Sequence, residues 1–100
     1  MKVKFSKAFI KAAKKLSGKM LESLRQAIVE VKAAEDIMDI TDCKKLIGYR
    51  KIYRIRIGDY RAFFNLDIEI SGEVVFFQYL VPRGEAYGKK MKTELKRIAK

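Results

Sequence analysis

The side chains available for chemistry in this sequence are arginine, lysine, tyrosine and carboxylates, because its 100 residues include no histidine. Imidazole acid–base chemistry, Ser–His and Cys–His nucleophile pairs and imidazole metal ligation are therefore excluded. Cys43 is the only cysteine, which also excludes an intrachain disulfide and a cysteine-based zinc site. No carboxylate cluster suggests a metal, so we expect neither a metal nor a cofactor.

Basic residues are concentrated between positions 44 and 61, where seven of them accompany the single carboxylate of Asp59. The seven are Lys44, Lys45, Arg50, Lys51, Arg54, Arg56 and Arg61. Most charge runs are solvated faces. This one differs because its basic residues alternate with aromatic and β-branched ones, as in a strand.

A predicted turn at Gly58-Asp59 sets the direction in which these basic residues face. Glycine at the first central position suits a two-residue type II′ turn, which fixes the register of the flanking strands. Arg56 then lies directly opposite Arg61. One face collects the core residues Tyr53, Ile55, Ile57, Tyr60, Ala62 and Phe64, and the other collects Arg54, Arg56, Arg61 and Phe63.

The arginine face has two interpretations. Like charges in direct cross-strand pairing cost a few tenths to about 1 kcal/mol, so the strands either splay the guanidinium groups into water or hold an anion. A phosphate site is favoured, because guanidinium binds phosphate bidentately and five of the seven arginines fall within positions 50–83. Phe63 would offer a stacking surface for a base. We assign Lys51 to the same RNA-binding surface.

Arg83 and Tyr87 follow the predicted sheet. A second two-residue turn at Ser71-Gly72 pairs position 64 with 79, and strict alternation then points Arg83 to the core. Pro82 cannot donate to the ladder, so we expect Arg83 in a loop at the sheet edge, with its direction open. Tyr87 either begins the apolar stripe of a final helix, with Met91, Leu95 and Ile98, or serves the arginine site.

Strands and helices at both ends of the chain must position these groups. The sequence predicts a short strand at Lys2–Phe5, a helix capped by Ser6, and a second helix over about positions 19–35. A three-stranded meander spans Tyr49–Val81, and an amphipathic helix follows. We predict an α+β fold in which an N-terminal helical hairpin packs on a small, mainly antiparallel sheet, with all helices on one face. The length predicts a single domain, residues 1–100.

The net charge is +11, from 23 lysines and arginines against 12 acids. This surplus favours a polyanionic partner: nucleic acid first, an acidic protein segment second and an anionic membrane third. No apolar run approaches the roughly 18 residues needed to span a bilayer. No secretory signal is visible. We expect a cytoplasmic protein without a membrane partner.

The central stretch of the sequence resembles a known family. Leu46-Ile47-Gly48-Tyr49, followed by Tyr53-Arg54-Ile55-Arg56-Ile57-Gly58-Asp59-Tyr60-Arg61, is similar to the core motif of the RelE/ParE toxin superfamily. Val81-Pro82-Arg83-Gly84-Glu85-Ala86-Tyr87 resembles that superfamily's strand end, in which a tyrosine follows an arginine by four residues. The match covers about residues 44–87 and implies a RelE/ParE-like fold and a bacterial toxin of a type II toxin–antitoxin pair.

RelE-like members enter the ribosomal A site and cut mRNA. The resemblance therefore implies a metal-independent, ribosome-dependent endoribonuclease whose partners are mRNA, the ribosome and a cognate antitoxin. By resemblance, Arg61 and Arg83 hold and neutralise the scissile phosphate. Arg54 and Arg56 stand where many RelE-like members have lysine, which favours charge stabilisation over proton transfer there.

The proton of the attacking 2′-OH needs an acceptor other than arginine, which stays protonated. A tyrosine, a lysine, a carboxylate or a ribosomal group remains, and Tyr87 is our candidate.

Two non-enzymatic alternatives stay open. ParE-like members keep the fold and inhibit DNA gyrase, and a catalytically inactive, toxin-like RNA-binding module fits the charge as well. The combination of Arg83 and Tyr87 favours the nuclease, because gyrase-directed members generally lack this pair.

Overall fold

The computed structural model describes residues Met1–Ala99 and is built on a five-stranded mixed sheet. Its strands are β1 (Lys2–Phe5), β2 (Cys43–Lys45), β3 (Ile52–Ile57), β4 (Tyr60–Glu69) and β5 (Gly72–Pro82), in the spatial order β1-β5-β4-β3-β2. β1 runs parallel to β5, and the other neighbours are antiparallel. Strand β1 and the meander are confirmed, whereas β2 was not predicted, because three residues are too few to show an alternating pattern.

Three helices accompany the sheet: α1 (Lys7–Ala13), α2 (Gly18–Ala33) and α3 (Lys89–Ile98). Short 3-10 turns occupy Ile37–Asp39 and Arg83–Glu85. Ser6 caps α1 as predicted, since its Oγ accepts a hydrogen bond from the Phe9 backbone N–H at 3.0 Å. No helix among residues 1–99 has both the length and the apolar character needed to cross a membrane.

The helical hairpin α1–α2 covers one face of the sheet. Phe9 and Leu24 from the helices meet Ile55, Phe64 and Phe77 from the strands in a buried apolar core. The rings of Phe9 and Phe77 lie 5.0 Å apart between centroids, within the range of favourable aromatic pairs. The face predicted to be the core is therefore the face that the hairpin buries.

Helix α3 packs on the opposite face, so the prediction that all helices share one face is wrong. Ile52 and Phe63 point to this second face and form a buried cluster with Ala86, Met91 and Leu95. The physical reason is that these two apolar side chains share the face of the arginines, where the helical hairpin cannot reach them. A separate helix must therefore remove them from water. The link between β5 and α3 carries the chain past the end of β5 to this second face.

The register between β4 and β5 also differs from the prediction. The two-residue turn is Ile70-Ser71, since Glu69 pairs with Gly72, and Phe64 pairs with Phe77 instead of Tyr79. A bulge between Phe63 and Phe64 shifts the ladder by one residue. Val75, Phe77 and Leu80 are all buried in the core under the hairpin, and the last two are three positions apart. One extra residue in β5 is what allows both to face inward.

Candidate functional site

The three arginines of the β3–β4 hairpin lie on one face, as the Gly58-Asp59 turn predicts. Arg56 pairs directly with Arg61, and Arg54 pairs with Phe63. Gly58 adopts a φ of +55°, a left-handed conformation that glycine reaches without the steric cost paid by other residues. Local turn chemistry is thus sufficient to bring these cations together.

Arg61 is buried, with 6% of its surface exposed. Its Nη1 donates to the backbone carbonyls of Gly58 and Tyr60, each at 2.9 Å. Its Nε is buried without a hydrogen-bond acceptor among the described residues. Arg61 therefore stabilises the turn through the hydrogen bonds of its Nη1. Its unpaired Nε costs stability, because a buried donor has lost its hydrogen bonds to water.

Arg54 reaches Tyr87 from the middle of β3. Its Nη1 donates to the phenolic oxygen of Tyr87 at 2.9 Å, and its Nε is likewise buried and unpaired among residues 1–99. Tyr87 is 52% exposed and precedes α3, while neighbouring Ala86 takes the buried position. Of the two interpretations of Tyr87, membership in the apolar stripe of the helix is therefore wrong.

Arg56 and Lys44 extend the positive face toward β2. Arg56 is exposed and lies 3.6 Å from the carboxylate of Asp42, a residue that sequence reasoning did not single out. Lys44 pairs with Arg54 across β2 and β3, so the two share a face. The sequence identifies Lys44 only as part of a basic run, because its direction depends on its position in β2.

Arg83 begins the 3-10 turn after β5 and is exposed. Its backbone N–H donates to the carbonyl of Asp59 at 2.7 Å, which ties it to the same hairpin turn that Arg61 braces. This agrees with the expectation that Arg83 lies in a loop at the sheet edge. The arginine end of the sheet thus holds Arg61 and Arg83 on either side of one turn.

Two predicted site residues are not part of this arrangement. Phe63 is fully buried beneath α3, so it has no free face for stacking a base, and that prediction is wrong. Lys51 lies before β3, beside Asn65 and Asp67 and the end of α3. It precedes Arg54 by three positions, about 10 Å along a strand, and lies at the end of β3 that is remote from the hairpin turn.

The remaining polar groups near the sheet are structural. Burial raises the pKa of the Cys43 thiol to about 11, which leaves it protonated and unreactive at neutral pH. Tyr79 donates to Glu94 Oε2 at 2.8 Å and so ties β5 to α3. Burial and this hydrogen bond raise the pKa of Tyr79.

The chain is similar in sequence to a known toxin. Toxin RelE3 of Methanocaldococcus jannaschii is 34% identical over 88 residues, which cover 87% of this chain and 96% of the relative. No protein-family model matches the chain.

Solved structures give the same picture. The toxin chain in the RelB-RelE antitoxin-toxin complex from Methanococcus jannaschii has a TM-score of 0.65 and 26% identity, covering 84% of this chain and 94% of that one. The archaeal RelE-RelB complex from Pyrococcus horikoshii gives 0.66 and 26%, with 85% and 97% covered. Such proteins therefore occur outside bacteria as well.

Proposed function

The chain belongs to the RelE family of toxins, and on this basis we propose that it is the toxin of a type II toxin–antitoxin pair that cuts mRNA on the ribosome. The observation that carries the proposed activity is the hydrogen bond of 2.9 Å between Arg54 Nη1 and the Tyr87 hydroxyl. The same face holds Arg56 and Arg61. A phenol and phosphate-binding cations are two kinds of group that RNA cleavage without histidine can use.

The reaction is an attack by the 2′-oxygen of RNA on its own neighbouring phosphate. The 2′-oxygen forms a bond to phosphorus, the bond to the 5′-oxygen breaks, and the products are a 2′,3′-cyclic phosphate and a 5′-hydroxyl. One proton leaves the 2′-OH and one arrives at the 5′-oxygen. The reaction therefore requires a proton acceptor, a proton donor and positive charge near the phosphate.

Tyr87 is the proton acceptor in this proposal. Tyr87 as a residue is half exposed, so substrate can reach it, and Arg54 holds its hydroxyl in place with a charge-assisted hydrogen bond. The positive charge of Arg54 lies 2.9 Å from the oxygen that receives the proton.

Arg61 and Arg83 neutralise the phosphate in this proposal. They flank the Gly58-Asp59 turn, one through carbonyl contacts of its side chain and the other through its backbone N–H. Guanidinium groups stabilise charge that grows on phosphate oxygens in the transition state.

The ribosome orients the RNA. Arg56, Arg83 and Tyr87 are exposed, so the RNA needs a partner that holds its 2′-OH in line with the 5′-oxygen. Orientation by a partner can be worth several kcal/mol of the barrier.

A cognate antitoxin that presents acidic and apolar residues neutralises the toxin. The relatives from Methanococcus jannaschii and Pyrococcus horikoshii were crystallised with antitoxin chains. The net charge of +11 favours an acidic partner that covers the arginine face or displaces the segment from Tyr87 to Ile98. Co-expression with the reading frame beside the gene is expected to yield a stable complex, and failure to co-purify would contradict this partner.

Translating ribosomes supplied with a defined mRNA test the activity, with a gyrase supercoiling assay run beside them. We expect cleavage on ribosomes and none of free mRNA. Tyr87→Phe is expected to slow cleavage by about 10²-fold or more while ribosome binding stays nearly intact, since only the phenolic oxygen is lost.

Tyr79→Phe is the matched control, because it removes a hydroxyl that binds Glu94 within the fold. We expect Tyr79→Phe to lower stability and to keep the cleavage rate. Gyrase inhibition without mRNA cleavage, or cutting of free mRNA, would contradict the proposed activity, and a fully active Tyr87→Phe would contradict the role of Tyr87.

A further inference from the structure

A small apolar cavity lies beside Tyr87 on the α3 side of the sheet. It has a volume of about 190 Å³. Phe63 and Leu95 line it from the buried cluster, Ile47 and Tyr49 from the loop between β2 and β3, and Tyr87 from the segment before α3. We propose that this cavity binds one base of the RNA whose phosphate the arginine face holds, an inference that rests on the proposed function.

The cavity has the composition of a site for a planar apolar group. Its inner residues are buried, whereas Ile47 is 98% exposed and Tyr87 52% exposed. Covering a large, exposed aliphatic side chain with a ligand is favourable, because it removes apolar surface from water. Pockets for drug-sized ligands have about 300–1,000 Å³, so this smaller cavity suits a fragment with the dimensions of a single base.

Charge around the cavity favours a nucleotide as the occupant. Lys92 lines the cavity itself, and Arg54 is hydrogen-bonded to Tyr87 in its wall. A nucleotide offers an anion to these cations and an apolar ring to Ile47 and Tyr49, so one ligand satisfies both. Phe63 is buried and cannot stack on a base. The exposed side chains of Tyr87 and Ile47 at the rim of the cavity would contact the base instead.

The probe for this inference is a fluorescein-labelled six-nucleotide RNA, 2′-O-methylated throughout so that it cannot be cleaved. Binding to the isolated protein is measured by anisotropy at low salt, with a normal or an abasic nucleotide at each position in turn. We expect the abasic change to weaken binding about tenfold at one position, since stacking of a base on a protein surface has this order of effect.

Ile47→Asn tests the cavity, and Ile70→Asn is the matched control. Both isoleucines are almost fully exposed, so both variants are expected to keep the melting temperature, and neither changes the net charge. Ile70 lies in the turn between β4 and β5, far from the cavity. In Ile47→Asn the normal and abasic RNAs are expected to bind within about twofold of each other, while Ile70→Asn keeps the tenfold difference.

Each contrary outcome overturns the inference. These are an undiminished abasic effect in Ile47→Asn, no abasic effect in the unmodified protein, and no RNA binding at low salt. If Ile47→Asn weakens binding of the purified antitoxin and not of RNA, the cavity is a protein contact instead. Because this assay uses neither ribosomes nor cleavable RNA, its failure leaves the cleavage assay to decide the proposed function separately.

Discussion

Arg61 and Arg83 carry the same guanidinium group but are held differently. Arg61 is buried and donates to two carbonyls of the hairpin turn, whereas Arg83 is exposed and is tied to that turn by its backbone N–H. The Arg61 side chain therefore contributes to stability as well as to the charge of the face. The Arg83 side chain is exposed, and in our proposal it serves the substrate alone.

Replacing each arginine by alanine is expected to separate the two contributions. Arg61→Ala leaves the turn carbonyls without a donor and is expected to lower the free energy of unfolding by about 1–3 kcal/mol. Arg83→Ala is expected to leave it within about 0.5 kcal/mol. Both are expected to raise the barrier to cleavage by about 3 kcal/mol, by analogy with single oxyanion donors.

Urea denaturation and single-turnover cleavage on ribosomes measure these two quantities. Equal losses of stability in the two variants would contradict the structural role of Arg61. Full activity of Arg83→Ala would contradict its contact with the phosphate.

Cys43 provides a pH-dependent test at the residue scale. Burial raises the pKa of its thiol from 9.0 to about 11, so the folded state retains a proton that the unfolded state loses. Stability from this group is present below pH 9 and is lost as the pH rises toward 11. A difference of two pH units predicts alkylation at pH 8 about a hundredfold slower in the folded protein than in urea.

Iodoacetamide labelling followed by mass spectrometry gives this ratio. A free cysteine derivative in the same two buffers corrects for the effect of urea on the reagent. Equal rates for the folded and unfolded protein would show that the thiol is neither buried nor shifted.

At the scale of elements, α3 decides which part of the arginine face remains open. Met91 and Leu95 cover Phe63 and Ile52, and Tyr79 binds Glu94 from the sheet. At the arginine end of the same face Arg56 and Arg83 stay exposed, since the helix begins only at Lys89. The helix therefore contributes both a second core and one wall of the site.

Leu95→Ala is expected to lower the free energy of unfolding by about 2–5 kcal/mol, because it leaves a cavity against Phe63. Lys96→Ala, one position further along the same helix but exposed, is the matched control and is expected to change stability by less than about 0.5 kcal/mol. Urea denaturation followed by circular dichroism measures both. A loss below 1 kcal/mol for Leu95→Ala would contradict the close packing of α3.

At the scale of the whole molecule, the positive charge lies in two regions on opposite sides of the sheet. Lysines of α1 lie on the side of the sheet that carries the helical hairpin, whereas Lys44 shares the opposite face with Arg54. A cation contributes to RNA binding in proportion to the phosphate contact it makes. The two regions are therefore expected to differ in salt dependence.

Lys44→Ala is expected to reduce the slope of log affinity against log salt for single-stranded RNA by about 0.7, the effect of losing one phosphate contact. Lys7→Ala removes the same charge from an exposed position on α1 and is expected to leave the slope unchanged. Anisotropy titrations between 50 and 200 mM salt, about the range over which such slopes are measured, provide the comparison. Equal slopes for the two variants would indicate that the arginine face is not the RNA-binding face.

Features that depend on neighbouring residues were predictable from the sequence. The Ser6 cap, the Gly58-Asp59 turn and the pairing of Arg56 with Arg61 each follow from a few adjacent positions. The family resemblance of residues 44–87 belongs to this class as well, since it rests on the same hairpin. The register of β5 was not predictable, because its bulge is set by the need to bury both Phe77 and Leu80.

By itself, therefore, the sequence determined the α+β class, the toxin family and the common face of Arg54, Arg56 and Arg61. Only the tertiary structure decided that Phe63 is buried, that Tyr87 is exposed and bonded to Arg54, and that Lys51 lies elsewhere. Alternation along a strand assigns residues to faces, because that geometry is local. Whether a face is covered depends on where a helix from a distant part of the chain packs. That position is set by the apolar surface that the whole fold removes from water, and so it is not local.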